Sequence, residues 1–374
     1  MAAVGTSGPV WETGDRPAFP QLEGHLRADL CVVGLGGSGL TAAGVALAAG
    51  RSVVGIDAAV VGGAAAGRNA GFLLAGMAPF HHDLAASVGP ERATALYRLT
   101  QAEISRMAAE TPDQIRLTGS LRIAAPDEEL ADCGRQLDVM RAHGLPVEEY
   151  EGPEGPGLLF PGDGVVQPLA RCRELARRAG ADGASLFEHT PAVEVSGSRV
   201  ETPFGRVDCE AVVVAVDGGL ETVLPELAGR VRTARAQVLA TEPLAEHRFA
   251  RPVYTRWGYD YFQQLPDRRL VLGGFRDRGL DSEWTTESEP TEAIQGHLEA
   301  FLREGLAVDA AVTHRWAGSI AFTEDKLPVL EEVRRGVWAC GAYSGTGNVV
   351  GAICGRLAAQ LALGLPAPGS ELFR

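Results

Sequence analysis

Ala28-Asp-Leu-Cys-Val-Val-Gly34-Leu-Gly36-Gly37-Ser38-Gly39 opens the first regular stretch of the chain. The apolar run before Gly34 has the composition of a short buried strand, and the alanine-rich segment from Ser38 to Gly50 that of a helix. Ser52-Val-Val-Gly-Ile-Asp57 is a second apolar run. Strand, helix and strand in that order make a βαβ unit on a parallel sheet. Gly34 permits the tight turn, Gly36 lets a pyrophosphate approach the backbone, and Gly39 allows close helix–strand packing. Gly37 and Ser38 belong to the helix N-terminus, which offers unpaired N–H groups and partial positive charge to phosphates. Asp57 ends the second strand about 20 residues on, where an acid holds a ribose hydroxyl and disfavours a 2′-phosphate. The unit reads as a dinucleotide site, with NADP the poorest fit. A tight βα turn that binds nothing is the competing reading.

Two later segments bear on which dinucleotide it is. Gly62-Gly-Ala-Ala-Ala-Gly-Arg68-Asn69-Ala70-Gly71 follows the second strand directly. Its small residues let the main chain run along a cofactor, and Arg68 offers charge to phosphates. A flexible surface loop is the alternative, although Phe72-Leu-Leu follows at once. Near the end, Gly341-Ala-Tyr-Ser-Gly345-Thr346-Gly347-Asn348 opens a helix expected from about Asn348 to Leu363. Gly347, Gly351 and Gly355 recur on one face, which suits packing against a backbone or a flat ring. The positive end of such a helix would stabilise the negative N1–C2=O edge of a reduced flavin. An ordinary helix with a packing stripe explains the same residues equally well.

Composition sets the limits. The chain has 374 residues, 45% hydrophobic and 22% charged, enough for one large or two interleaved domains of an ordinary globular protein. A net charge of −14 argues against nucleic acid or an anionic membrane surface as partner. No secretory signal and no membrane span are read from the sequence. Cys31, Cys133, Cys172, Cys209, Cys340 and Cys354 show no paired spacing and read as reduced cysteines of a cytoplasmic protein. No metal-ligand spacing, nucleophile elbow or catalytic triad is evident, so no metal is expected.

Residues Met1 to Leu26 read as an irregular arm. Helices are expected over Pro90–Glu110, Pro126–His143 and Cys172–Ala181. Pro191–Thr202 with Gly205–Cys209 suggests a small antiparallel meander, and Ala211–Val216 a separate buried strand. Between about Val231 and Val312 strands and hairpins are expected, including Tyr259–Gln264 with Arg268–Gly274 around Pro266-Asp267. Gly336–Cys340 reads as a last strand. The resulting fold class is α/β: a discontinuous Rossmann-like domain over 1–86, 155–222 and 318–374, and a mixed or antiparallel sheet domain over 87–154 and 223–317. His81-His82-Asp83 follows the cofactor segment on an expected loop and is a candidate for the lining of the substrate cavity, although paired histidines on a loop ordinarily face solvent. Tyr259 and Tyr261 share one face of their expected strand and are pocket candidates. Trp316 is most simply core.

Residues Ala28–Gly71 resemble the FAD-binding opening of the D-amino-acid-oxidase-like superfamily, whose flavin domain is of the glutathione-reductase type. Gly62–Gly71 is similar to its G-A-S-G-R-N-G-G segment, Trp316–Pro328 to its W-x-G … T-x-D-x-x-P segment, and Cys340–Gly347 to its A-x-G-Y-S-G-x-G turn. Arg235-Ala-Gln237 followed by Thr241-Glu-Pro243 keeps the order and spacing, so the resemblance runs through nearly the whole chain. The nearest subgroup is that of gamma-glutamylputrescine-oxidase-like amine oxidases, which share a proline-containing arm before the first strand. The resemblance implies an FAD-dependent oxidoreductase that oxidises a C–N bond of a small amine or amino acid, passing electrons to oxygen or another acceptor. The implied cofactor contacts are Gly34, Gly36, Gly37, Ser38, Gly39, Asp57, Arg68, Asn69, Ala70, Gly71, Val193, Gly341, Gly345, Thr346, Gly347 and Asn348.

Departures from the family pattern refine this. Ile320 stands where relatives specific for free α-amino acids place a carboxylate-gripping arginine; Arg276, in Gly273-Gly-Phe-Arg276, is the substitute candidate. Val271 stands near the position of an oxygen-activating lysine, which counts against fast oxidase activity. The cysteine and histidine that carry covalent flavin in some relatives are replaced around Gly318/Ser319 and at Asn69, so the FAD is expected to be non-covalent. The balance of Ile320 against Arg276 favours an amine over an amino acid. Oxidation of a free or N-alkyl α-amino acid by a dehydrogenase, or an NAD-dependent dehydrogenase, are the alternatives.

Overall fold

The computed structural model describes residues 8–373; residues 1–7, the start of the expected arm, lie outside them. Two compact units divide the chain. The first comprises Thr13–Arg68, Gln167–Ala234 and 319–373; the second comprises 8–12, Asn69–Val166 and Arg235–Gly318.

In the first unit, five strands lie parallel in the order Ser185–Phe187, Val53–Ile56, Gly24–Val33, Gly205–Val214, Val337–Gly341. The opening strand starts at Gly24, four residues before its apolar run, because Gly24 to Ala28 pair with Gly205 to Cys209. The expected meander strand and the buried strand after it are one element, Gly205–Val214. Its first half pairs antiparallel with Arg199–Thr202 and its last residues parallel with Val337–Ala339. The helices Gly37–Ala48, Pro168–Ala181 and Val350–Ala362 belong to this unit. Pro168–Ala181 starts four residues before the expected Cys172, because Gln167 caps it: its Oε1 accepts the Ala170 N–H at 2.7 Å. Cys31, Val33, Ile56, Val212, Val214 and Val337 form the core of the sheet.

A mixed sheet, most of it in the second unit, has the order Val312–Phe322, Arg232–Pro243, Arg269–Gly274, Asp260–Gln264, Val253–Thr255, Ser120–Ile123, Gly155–Phe160, Glu148–Gly152. Val253–Thr255 and Ser120–Ile123 run parallel, whereas the hairpin Asp260–Gln264 with Arg269–Gly274 is antiparallel as expected. Phe72–Leu73, Gly164–Val166 and Ile115–Arg116 make a small sheet beside it. The second unit thus includes 8–12, 69–86 and 155–166 and the first includes 223–234, so the division falls at other residues than the expected ones. The helices Pro90–Glu110 and Asp127–Ala142 lie within two residues of expectation. His81–Val88 is a helix, not a loop. Among the described residues no helix is long and apolar enough to cross a membrane, and the six cysteines are free.

Candidate functional site

Two positions of the turn Gly34–Gly39 admit only glycine. Gly34 has φ +98° and lies where a Cβ would meet the Ala215 carbonyl oxygen at 2.6 Å. A Cβ on Gly39 would sit 1.9 Å from the Gly34 carbonyl oxygen, so the helix starts pressed against the strand end. The first bond of the helix runs from the Leu40 N–H to the Gly36 carbonyl, and no side chain caps it. The N–H groups of Gly37, Ser38 and Gly39 therefore precede the helical ladder, an arrangement that suits a phosphate. Above Gly37 a Cβ would meet only the Arg171 Nη1, at 3.8 Å. Arg171, 4% exposed on Pro168–Ala181, brings a buried cation to this turn, and no motif in the sequence singled it out.

Asp57 accepts the Leu35 N–H on Oδ2 and the Ala59 N–H on Oδ1, both at 2.8 Å, and burial pushes its carboxyl above the ordinary value. It ties the glycine turn to the end of the second strand while each oxygen keeps a lone pair for a ribose hydroxyl. Arg68 ends the short helix Ala65–Arg68 and is half-buried. Asn69, Ala70 and Gly71 begin the second unit. Asn69 Oδ1 accepts the Gly71 N–H at 2.8 Å, Gln263 donates to the Ala70 carbonyl, and Gly71, φ +77°, would drive a Cβ into the Val166 carbonyl at 2.5 Å. This small-residue run is therefore a packed segment rather than a loose loop. Val193 is 69% exposed, and its N–H is taken by the Glu201 carbonyl.

The turn Gly341–Asn348 also has defined geometry. Gly341 faces the Val216 carbonyl, Ala342 and Ser344 take φ of +54° and +52°, and Gly345 has φ +96° with open space where its Cβ would be. The Thr346 hydroxyl donates to the Tyr343 carbonyl at 2.8 Å. The helix begins at Val350, two residues after the expected Asn348; its Val350 N–H bonds Thr346 and its Gly351 N–H bonds Gly347. The N–H groups of Gly345 and Gly347 thus lie ahead of the ladder, and the buried Ser344 Oγ has no hydrogen-bond partner among the described residues. Both features suit a polar edge of a bound ring. The glycine stripe decides for packing: a Cβ at Gly351 would meet Ser38 Oγ at 2.6 Å, and one at Gly355 the Ser38 carbonyl at 2.0 Å. Helix Val350–Ala362 thus lies directly on helix Gly37–Ala48, and Ser38 is also bonded by the Tyr343 hydroxyl at 2.9 Å.

In the second unit the three pocket candidates come together, with one correction. Tyr259 is not on the strand: it sits in helical conformation between the turn Arg256–Gly258 and Asp260–Gln264, so it does not alternate with Tyr261. Arg276 begins the 3₁₀ segment Arg276–Glu283 and is half-buried, its guanidinium 5.0 Å from the Trp284 ring and 6.0 Å from the Tyr259 ring. The Tyr261 hydroxyl is pushed up to about 12 by burial and by the charge of Asp260, with the Arg276 charge pulling the other way. The Tyr261 ring meets Phe72 edge-on at 5.8 Å, beside the Ala70–Gly71 segment that Gln263 holds. Tyr261 stands across from Gly273, where any side chain would collide with its ring.

The histidines are not solvent-facing. His81 is 4% exposed and shares a hydrogen with His143 at 2.8 Å, while His82 Nε2 meets Asp132 at 2.9 Å. Asp132 in turn pairs with the fully buried Arg122, whose guanidinium lies 3.5 Å from the Phe80 ring centre. This network ties helix His81–Val88 to Asp127–Ala142 and to the sheet. Among the described residues no group of acids, histidines and cysteines is arranged to hold a metal.

The family model for FAD-dependent oxidoreductases matches residues 29–361. The chain is 29% identical to a probable oxidoreductase, OrdL, of Rhizobium meliloti, over 94% of this chain and 86% of that one. It is 26% identical to gamma-glutamylputrescine oxidoreductase of Escherichia coli, over 92% and 86%. Its fold is that of glycine oxidase from Geobacillus kaustophilus, with a TM-score of 0.76 at 20% identity over 92% of this chain and 96% of that one. L-proline dehydrogenase from P. horikoshii superposes with a TM-score of 0.75 at 17% identity over 93% and 96%. A family match over almost the whole chain removes the NAD-dependent alternative: the chain belongs to the FAD-dependent oxidoreductases and takes FAD as its cofactor.

Proposed function

We propose that the chain oxidises the C–N bond of a small amine that carries a carboxylate, either on the reacting carbon or further along the molecule. The observation behind this is Arg276, a half-buried guanidinium 5.0 Å from the Trp284 ring centre and 6.0 Å from that of Tyr259, whose charge also acts on the Tyr261 hydroxyl. Ring faces orient a guanidinium, and its planar fork matches a carboxylate in bidentate geometry. Tyr261 stays protonated at neutral pH, so its hydroxyl is a donor to the same anion. A partly desolvated pocket lowers the pKa of a substrate ammonium and favours the free amine from which hydride can leave. Bound FAD supplies the hydride acceptor, and the protein positions the α-C–H toward it. The product imine hydrolyses to a carbonyl compound and an amine. Half-buried Ile320, standing where an arginine would grip an α-carboxylate, favours substrates whose carboxylate is remote from the reacting carbon.

Anaerobic mixing of the FAD-loaded enzyme with paired carboxylates and amides of the same amines tests this. Flavin bleaching is expected with the carboxylates, and R276A should reduce kcat/KM for them by about 100-fold, as for loss of a charged hydrogen bond, with partial recovery in R276K. Equal bleaching by acid and amide, in the parent and in R276A, would remove Arg276 from substrate recognition.

A further inference from the structure

Asp217 follows the buried strand Gly205–Val214 at the loop Ala215–Gly219, outside every segment the sequence marked. Its Oδ1 accepts the Tyr343 N–H at 3.0 Å and its Oδ2 the Ala321 N–H at 3.4 Å; Ala342 also donates to it. One carboxylate thus joins the end of strand Val312–Phe322 to the turn Gly341–Asn348. That turn contains two non-glycine residues in the left-handed region, Ala342 and Ser344, each of which strains the backbone. The Ser344 N–H is held by the Ala321 carbonyl at 3.0 Å, so the same short stretch fixes both strained residues. The adjoining Gly218 would drive a Cβ into the Ser319 carbonyl at 2.5 Å, which keeps the two segments in close contact.

We propose that Asp217 is a positioning residue for the flavin: its carboxylate holds the turn Gly341–Asn348 in its strained form, and its negative charge behind that turn keeps the reduction potential low. Reduced flavin carries negative charge that the N–H groups of Gly345 and Gly347 would meet, and a carboxylate behind them opposes it. Other ionisable groups close to Asp217 are Glu221, Cys340 and Tyr343. Burial pushes Asp217 up to about 6, so at pH 8 it is ionised.

The test uses D217N at pH 8, with FAD affinity measured by fluorescence on the stripped protein and the midpoint potential measured against a reference dye. D217N keeps the shape but presents an amide to the Ala321 or Tyr343 N–H. FAD affinity should fall at least tenfold, and the potential should shift upward. Adding A342G and S344G, which accept positive φ without strain, should restore affinity while the potential stays raised. E221Q should leave the potential where it was. Parent-like affinity and potential in D217N, with only a lowered melting temperature, would make Asp217 a plain structural residue. If D217N does not fold, D217E gives the answer: it keeps the charge but displaces the carboxylate, so FAD affinity should fall at least tenfold while the potential stays near the parent value, and parent-like affinity overturns the proposal.

Discussion

A methyl group at Gly39 would overlap the Gly34 carbonyl, one at Gly355 would overlap the Ser38 carbonyl, and one at Gly345 would meet nothing. The three alanine substitutions should therefore separate. G39A and G355A collide with backbone that cannot swing aside, and each should cost about 1–3 kcal/mol or more, as for overpacking. G345A meets only its own φ of +96°, a penalty of roughly 1–2 kcal/mol. Urea melts of the three rank them; a G345A as damaging as G355A would contradict the open space beside Gly345. Arg171 is a second residue-scale case. If it faces the phosphates at Gly37, R171A should weaken FAD binding about tenfold, the loss of one charged hydrogen bond, and reduce its salt dependence. Unchanged affinity would leave Arg171 a helix-packing residue. The glycines were legible because turn geometry writes itself into consecutive residues. Arg171 and Asp217 were not, since their neighbours at 37, 321 and 343 come together only in the fold.

Between strands Gly155–Phe160 and Gly164–Val166, the turn residue Asp163 accepts the Ser120 hydroxyl at 2.6 Å and the Ala75 N–H at 2.8 Å while 2% exposed. Burial pushes its carboxyl up to about 7, with both bonds pulling downward. The folded chain therefore holds this proton to higher pH than the unfolded chain, in which it leaves near about 4. Its contribution is stabilising when protonated and is lost as pH rises through about 7, at up to ~1.4 kcal/mol per unit between those limits. D163N keeps an acceptor for Ala75 and a partner for Ser120 without the charge. It should be more stable than the parent at pH 8 and equal to it near pH 4, in urea melts. A D163N less stable than the parent at pH 8 would contradict this account of Asp163. At this scale the sequence was readable where one pattern covered one element, as over Pro90–Glu110. It misled where a single strand changes partners: Gly205–Val214 looks polar while paired with Arg199–Thr202 and apolar while buried beside Val337–Gly341. His81-His82 misled for the opposite reason, because polar residues satisfied by His143 and Asp132 carry no sign of burial in their own spelling.

Each unit of the molecule is assembled from separated stretches of chain, so neither is a segment that can be cut out and studied alone. FAD binds only the folded form, and its binding should stabilise the whole by mass action, about 2.7 kcal/mol at a hundredfold excess over Kd. Melting temperature should climb with added FAD and ignore NADP; a response to NADP would question Asp57 as the ribose acid. The general α/β architecture and the cofactor were visible in three glycine-rich segments, whereas the division between units was not, because it depends on pairings such as Phe72 with Val165. The strand Gly24–Val33 is central to its sheet, yet its partner Gly205–Val214 lies roughly 180 residues downstream. A ribosome adding about 5–20 residues per second needs some 10–40 s to supply it. Until then the wholly apolar stretch Leu30 to Val33 lacks the partner that covers it in the finished sheet, and its amides are left to water or to another chain. The yield of active protein should therefore depend on translation speed and on chaperones that shield such a stretch, more than on the stability of the finished fold.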